Sequence, residues 1–198
     1  MVHTRQGDTS AISYLNPYCQ LLKHLRDGRK ILKLDIGCGN KPTGDVNCDL
    51  FIGKTPHLDK DAEINPKIIA NFVKCDANNL PFRDKCFDHS YCSHVIEHRG
   101  LSPIKVIGEM TRVTNGIIEV LVPHRFARWK SGKFARLKWV RYKQHAYHAC
   151  LFNIATLTQL FQRLNLNPEI TVQYQCFPNI LFCLIRLPWE ITVKAVVK

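Results

Sequence analysis

The chain has 198 residues, 45% of them hydrophobic, and a formal net charge of +12. This length suits one α/β domain with a full core and is short for two, so we predict a single domain over residues 1–198. Because the first residues lack an apolar signal core and the apolar stretch at 180–187 contains Arg186, we expect no transmembrane segment and a cytoplasmic location. The excess positive charge favours an anionic partner.

The order of apolar runs and turn residues predicts strands that alternate with helices. In chain order, the predicted elements are a helix at 11–27, strands at 31–37, 46–51, 72–77 and 87–96, a helix at 103–114, a strand at 116–123, a helix at 154–164, and strands at 170–175 and 180–187. This alternation indicates an α/β fold with a mostly parallel central sheet and helices on both faces. The last two strands are expected as an antiparallel pair at the sheet edge.

The connection between the first two strands is unusually short. Only nine residues separate Gly39 from Asp49, whereas a crossover helix between parallel strands takes about ten or more. Pro42 and Gly44 lie in this connection and favour a turn. We therefore predict that the first crossover helix is shortened or absent.

Glycines and carboxylates follow the first three strands. Gly37 and Gly39 close the first strand, and glycines one residue apart let the backbone approach a ligand closely. Asp49 ends the second strand, where a carboxylate can accept hydrogen bonds from a ribose diol. Asp76 follows the third strand and can accept from an adenine amino group, while Ala77 offers a backbone N–H. The layout indicates a nucleoside-containing cofactor.

With these features the chain resembles the class I S-adenosylmethionine-dependent methyltransferases, in particular the group called type 11. The resemblance is carried by LDIGCG at 34–39, NCDL at 47–50, KCDANNLPF at 74–82, CFDHSYCSHVIEH at 86–98 and EMTRVTNGIIEVLVP at 109–123. It implies a Rossmann-like methyltransferase domain with S-adenosylmethionine as cofactor. The cofactor-binding residues that it implies are Asp35, Gly37, Cys38, Gly39, Asp49, Leu50, Asp76, Ala77 and His94.

His94 is also the candidate catalytic residue. Methyl transfer is an in-line displacement, but an oxygen or nitrogen acceptor can still need a base, and an imidazole with a pKa of about 6.5 suits that role. The alternatives are that His94 only contacts the cofactor or the core, and that Glu97 and His98 cap the following helix. His145 and His148 have metal-ligand spacing, but no third ligand stands near them and no cysteines form a CxxC pair, so we predict no metal.

A basic, aromatic insert at residues 124–148 follows the fifth predicted strand. Eight Lys and Arg residues lie between positions 125 and 143 with no acidic residue among them. Because ligands bind at the carboxyl ends of parallel strands, we expect the insert to overhang the site as a substrate lid. The substrate residues predicted on this ground are His124, Arg125, Arg128, Trp129, His145 and His148.

Three functions fit these patterns. The first is methyl transfer to an oxygen or nitrogen of a small anionic acceptor, with the insert as lid. The second is methylation of RNA or another nucleic acid through residues 125–143, although the chain has no Asn/Asp-Pro-Pro-Tyr/Phe motif. The third is a non-catalytic protein that binds cofactor, nucleic acid or an anionic membrane. Acidic residues at both positions 49 and 76 favour retained cofactor binding.

Overall fold

The structure is a computed structural model that describes residues 30–55, 58, 62–124, 148–176 and 186–197. The helix predicted at 11–27 and nearly all of the basic insert lie outside these residues. From Ile31 onward the chain belongs to one compact unit.

Seven strands form one sheet, with β3 and β6 at its two edges. The strands are β1 (Lys33–Ile36), β2 (Val46–Asp49), β3 (Phe72–Lys74), β4 (Phe87–Ser93), β5 (Thr114–Pro123), β6 (Pro168–Cys176) and β7 (Arg186–Val196), in the spatial order β3-β2-β1-β4-β5-β7-β6. The first five are parallel to one another, while β7 is antiparallel to both β5 and β6. The mostly parallel sheet and its antiparallel edge pair confirm the predicted fold class.

The connection between β1 and β2 has no crossover helix and is held against β1 by hydrogen bonds. The nine connecting residues contain no helix, as the sequence predicted. The backbone N–H of Asp45 donates to the carbonyl of Lys33 (2.8 Å), and the Lys33 N–H donates to the Asp45 carboxylate (3.0 Å). These bonds fold the connection back along β1, so two parallel strands pair without a helix between them.

Two helices lie beside the second half of the sheet. The first, α1 (Pro103–Val113), begins with a proline in its first turn and buries Val106, Ile107 and Met110 on one face. The second, α2 (Ile154–Gln162), begins at Asn153, whose side chain accepts from the Thr156 N–H (2.8 Å) in a capping box. The helices contact each other as well as β5 and β6, so they cover the same face of the sheet. The described residues contain no helix on the opposite face.

An ionic and hydrogen-bonded cluster around Arg112 ties α1 to the segment that precedes β4. The guanidinium donates to the carbonyls of Leu80 (2.9 Å) and Phe82 (2.8 Å) and forms ion pairs with Glu109 and Asp84, both at 2.7 Å. Glu109 in turn accepts from the Leu80 N–H (2.8 Å). The Arg112 side chain therefore anchors irregular backbone to the helix.

The last strand lies further along the chain than predicted. The continuous apolar run predicted it at 180–187, but β7 runs from Arg186 to Val196, and residues 177–185 lie outside the described part. In β7, buried Ile191, Val193 and Ala195 alternate with half-buried Thr192 and Lys194. This period of two is the pattern of a strand with one covered face, and it indicated the position of the strand better than the apolar run did.

Neither described helix is long and apolar enough to cross a membrane.

Candidate functional site

A cavity of about 660 Å³ opens at the carboxyl ends of the parallel strands. We divide the residues that line it into two groups. The glycine-loop end consists of residues that follow β1, β2 and β3. The histidine end consists of residues that follow β4, residues of β7 and residues near position 148. The defining residues of the glycine-loop end are Gly37, Gly39, Asp49, Asp76 and Ala77. Those of the histidine end are His94, Glu97, His98, His148 and Trp189. One cavity thus joins most of the residues predicted from the sequence.

The glycine loop after β1 is bound to the end of β2. The N–H groups of Gly37 and Cys38 both donate to the carbonyl of Cys48, at 2.8 and 3.1 Å. Gly37 has φ +69° and Gly39 has φ +54°, in the left-handed region that favours glycine. The Cys38 side chain packs with Ile64 in a small apolar cluster and does not line the cavity. Burial, with the nearby charges of Asp49 and Asp35, raises the pKa of the Cys38 thiol to about 12.

Asp49 connects this loop to the tip of β2. One carboxylate oxygen accepts from the Gly39 N–H (3.0 Å) and the other from the Phe51 N–H (2.9 Å). A carboxylate oxygen has two lone pairs, so each can accept one more hydrogen bond from a diol in the cavity. Leu50, which was also predicted to bind the cofactor, lines the cavity and is 47% exposed. Its side chain is therefore accessible for apolar contact with a ligand.

Asp76 shapes the tip of β3. Its Oδ1 accepts from the backbone N–H (2.8 Å) and the side-chain amide (3.1 Å) of Asn78, which also donates to the carbonyl of Gly100 (3.1 Å). Among the described residues nothing donates a hydrogen bond to Asp76 Oδ2, so this oxygen can accept from a ligand. Ala77 follows it on the cavity wall. The donors and acceptors at the glycine-loop end therefore fit an adenosyl group.

Asp35 does not line the cavity. Its carboxylate is 3% exposed and accepts from the backbone N–H (2.7 Å) and the hydroxyl (2.9 Å) of Thr43. Burial raises the pKa of Asp35 above its ordinary value, although the bonds from Thr43 and the charge of Lys33 act in the opposite direction. The structure places Asp35 where it holds the β1–β2 connection.

His94 follows β4 in a left-handed conformation, with φ +55°. Its Nε2 lies 2.6 Å from a carboxylate oxygen of Glu190 on β7, and its Nδ1 lies 3.5 Å from Glu97 Oε1. Burial would lower the pKa of this imidazole, but the hydrogen bond with Glu190 and the nearby negative charge of Glu97 outweigh it and raise the pKa to about 9. The expectation of an ordinary pKa was therefore wrong, because sequence spacing did not reveal the two carboxylates.

Glu97, His98 and His148 meet deeper in the histidine end. Glu97 is fully buried, and the carbonyl of its backbone accepts from the N–H groups of Ala149 (2.7 Å) and Cys150 (3.2 Å). The rings of His98 and His148 stack edge to face with centroids 4.8 Å apart. Neither Glu97 nor His98 caps α1, since the helix begins at Pro103 after Ser102.

Of the predicted substrate residues, His148 lines the cavity and His124 does not. The backbone N–H of His124 donates to the carbonyl of Trp189 (3.0 Å), which aligns the end of β5 with β7. Arg125, Arg128, Trp129 and His145 lie outside the described residues. Of the two substrate candidates that the structure describes, one therefore lines the same cavity as the cofactor candidates.

The sequence did not point to several residues on or beside the cavity wall, among them Arg99, Trp189 and Glu190. Arg99 and Trp189 line the cavity, and Glu190 binds His94 from β7. Arg99 directly follows Glu97 and His98, which end the motif at 86–98, and this position could have identified it as a site residue. Trp189 and Glu190 lie almost a hundred residues from His94, and no local pattern connects them to it.

Part of the chain matches a known family. Residues 34–117 match the family model of the type 11 group, described as a methyltransferase domain. Over these residues the match confirms the family predicted from the sequence. No curated protein matches the chain significantly in sequence.

Solved structures share the fold at low sequence identity. An S-adenosylmethionine-dependent methyltransferase of Thermotoga maritima, described as a possible histamine N-methyltransferase, is 16% identical with a TM-score of 0.59 and covers 91% of this chain and 88% of its own. A methyltransferase of Mesorhizobium loti is 15% identical with a TM-score of 0.52, covering 89% and 95%. Phosphoethanolamine N-methyltransferase 2 of Haemonchus contortus, in complex with S-adenosyl-L-methionine, is 15% identical with a TM-score of 0.53, covering 92% of this chain and 52% of its own. These similarities show the Rossmann-like methyltransferase fold.

Proposed function

We propose that this chain transfers a methyl group from S-adenosylmethionine to an oxygen or nitrogen of a small, anionic acceptor bound at the histidine end. The observation that carries the proposal is that the residues of the glycine-loop end and those of the histidine end line a single cavity. Its volume of about 660 Å³ lies in the range of small-molecule sites, about 300–1,000 Å³. The acceptor would therefore be a metabolite-sized molecule.

The glycine-loop end would hold the cofactor. Gly37 and Gly39 would face its methionine part, Asp49 its ribose, and Asp76 with Ala77 its adenine. The bound cofactor supplies a methyl group on a sulfonium whose sulfur leaves without taking a proton. The task of the protein is then to hold the acceptor atom in line with the methyl carbon, a contribution of about 7–11 kcal/mol at best.

The histidine end would select and orient the acceptor. Arg99 is exposed on the cavity wall and offers a guanidinium to a phosphate or carboxylate group. Both ring nitrogens of His94 face carboxylates, Glu190 at 2.6 Å and Glu97 at 3.5 Å. In this proposal His94 is accordingly a positioning residue that joins β4 to β7, in place of the base predicted from the sequence. The insert predicted to bind nucleic acid lies outside the described residues, and that alternative stays a prediction from sequence.

The test is turnover with a defined set of acceptors. The full chain is incubated with S-adenosylmethionine and, separately, with phosphorylated amines or alcohols, hydroxy or amino carboxylates, and single-stranded RNA, and S-adenosylhomocysteine is quantified. We expect turnover with at least one small anionic compound and, at a cofactor concentration that just saturates the parent protein, much slower turnover with the Asp49→Ala variant. Turnover on RNA alone would contradict the small acceptor, and cofactor binding without turnover on any acceptor would favour a non-catalytic protein.

A further inference from the structure

The side chains of Glu97, His98 and His148 are held together by backbone contacts at the histidine end. His98 and His148 form an isolated antiparallel bridge, and the two N–H groups that follow His148 donate to the Glu97 carbonyl. Their positions therefore follow from main-chain pairing between two segments some fifty residues apart, so the cluster is part of the fold.

Glu97 is a buried carboxylate without a hydrogen bond in the described structure. Its side chain has no exposed surface, and no described residue donates a hydrogen bond to Oε1 or Oε2. Two imidazole nitrogens lie near Oε1, His94 Nδ1 at 3.5 Å and His148 Nε2 at 4.0 Å. A carboxylate removed from water costs several kcal/mol unless a cation or hydrogen-bond donors compensate it. Since neither imidazole donates a hydrogen bond to Glu97, both of its oxygens can bind a cation in the cavity.

The two histidines provide the remaining ligand chemistry. The ligand atoms of Glu97, His98 and His148 all lie within 4.8 Å of one another, and the three residues line the same cavity. His98 Nε2 lies 3.0 Å from the carbonyl oxygen of His94, which can only accept, so Nε2 carries a hydrogen and, in the neutral ring, Nδ1 has the lone pair that a metal ion would bind. Metal-binding histidines commonly donate their other ring N–H to a carbonyl in this way.

We propose that Glu97, His98 and His148 bind a divalent metal ion of the zinc class. Two imidazoles and one carboxylate form a ligand set of catalytic zinc sites, which keep a further position open. The cluster lies on the cavity wall, so the open position faces the space assigned to the acceptor. That orientation rests on the proposed function: an oxygen or nitrogen of the acceptor would coordinate the ion and be held for methyl transfer. The sequence prediction of no metal considered His148 with His145 and did not include Glu97 and His98.

The experiment measures zinc binding to the full chain after removal of metals with a chelator. Isothermal titration with Zn²⁺ should give one tight equivalent in the parent protein. Glu97→Gln and His148→Ala should each weaken it by at least about 100-fold, since loss even of an outer hydrogen-bond partner costs 10–100-fold. His89→Ala is the matched control, because His89 pairs with Glu119 away from the cavity, and its zinc affinity should equal that of the parent. Equal zinc affinity in the parent, Glu97→Gln and His148→Ala would overturn the proposal.

A second measurement keeps the test independent of variant folding and of the proposed function. Replacement of zinc by Co²⁺ in the parent protein should give the intense visible absorption of a four- or five-coordinate ion, and its absence would refute the site. S-adenosylmethionine binding to the metal-free protein is titrated in parallel. Cofactor binding without zinc binding refutes the metal site alone, whereas zinc binding without cofactor binding refutes the proposed function alone.

Discussion

The two ends of the cavity obtain their order in different ways. At the glycine-loop end, Asp49 and Asp76 accept hydrogen bonds from backbone N–H groups close to them in the chain or on the neighbouring loop. At the histidine end, the interacting groups come from β4, β7 and the residues around 148, and buried Glu97 receives no hydrogen bond from any described residue. The carboxylates of the first end are thus held by backbone donors, whereas the second contains a buried carboxylate that no described residue holds by a hydrogen bond.

This difference predicts which substitutions affect the cofactor and which affect the acceptor. Preorganised backbone around a carboxylate favours tight, geometry-dependent binding of a neutral diol. A cluster of titratable groups from distant segments favours selection of a charged acceptor or an ion. The predictions below test that division, beginning with the largest expected effect.

Asp49→Ala should lower the affinity for S-adenosylmethionine by about 100-fold or more. Hydrogen bonds to a charged group are worth about 1.5–3 kcal/mol each, and two bonds to a ribose diol would be lost. His148→Ala, at the other end, should change the cofactor affinity by less than about threefold. Isothermal titration of both variants with the cofactor measures this contrast. Similar losses in the two variants would show that the two ends do not act separately.

Gly37→Ala should lower the free energy of unfolding by about 2–4 kcal/mol. A β-carbon at Gly37 would overlap the Val95 side chain, and left-handed backbone costs a non-glycine residue about 1–2 kcal/mol in addition. Gly39→Ala is the matched control, since its added carbon would come no nearer than 3.6 Å to Leu58, so only the backbone cost of about 1–2 kcal/mol remains. Urea unfolding measures both. The double variant Gly37→Ala/Val95→Ala should recover part of the loss, and a failure to do so would contradict the overlap.

Arg112→Ala should lower the free energy of unfolding by about 2 kcal/mol at neutral pH, because two carbonyls and two carboxylates lose their donor. The Arg112 side chain holds the pKa of Glu109 below its ordinary value of 4.5, against the effect of burial. A lowered pKa contributes stability above pH 4.5 that disappears as the pH falls through the folded-state pKa.

The stability difference between parent and Arg112→Ala should therefore shrink as the pH is lowered from about 7 to about 3. Urea unfolding at a series of pH values checks this. Arg112→Lys should recover only part of the loss at neutral pH, since an ammonium group cannot reproduce the planar guanidinium contacts. A pH-independent difference would indicate that Glu109 is not the coupled group.

Much of the fold and half of the site could be predicted from local sequence. The strands β1 to β5, both described helices and the missing crossover helix follow from apolar periodicity, breakers and connection length. Asp49, Asp76 and Ala77 were predictable because residues at the ends of parallel strands meet at one edge of the sheet. Asp35 belonged to the same motif, yet its side chain points away from the cavity and binds Thr43, since neighbouring residues of a strand face opposite sides.

The histidine end was not predictable in the same way, because its contacts join segments far apart in the chain. Glu190 lies 96 positions after His94, and no spacing rule connects an imidazole after β4 to a carboxylate on an antiparallel strand. The same contact raises the pKa of His94, and the bridge between His98 and His148 brings the proposed metal ligands together. The sequence by itself determined the resemblance to the family, the parallel sheet and the residues at the strand ends that line the cavity, since each depends on local pattern and strand order. Only the tertiary structure decided the electrostatics of the other end, because a buried charge takes its properties from neighbours that the chain brings together on folding.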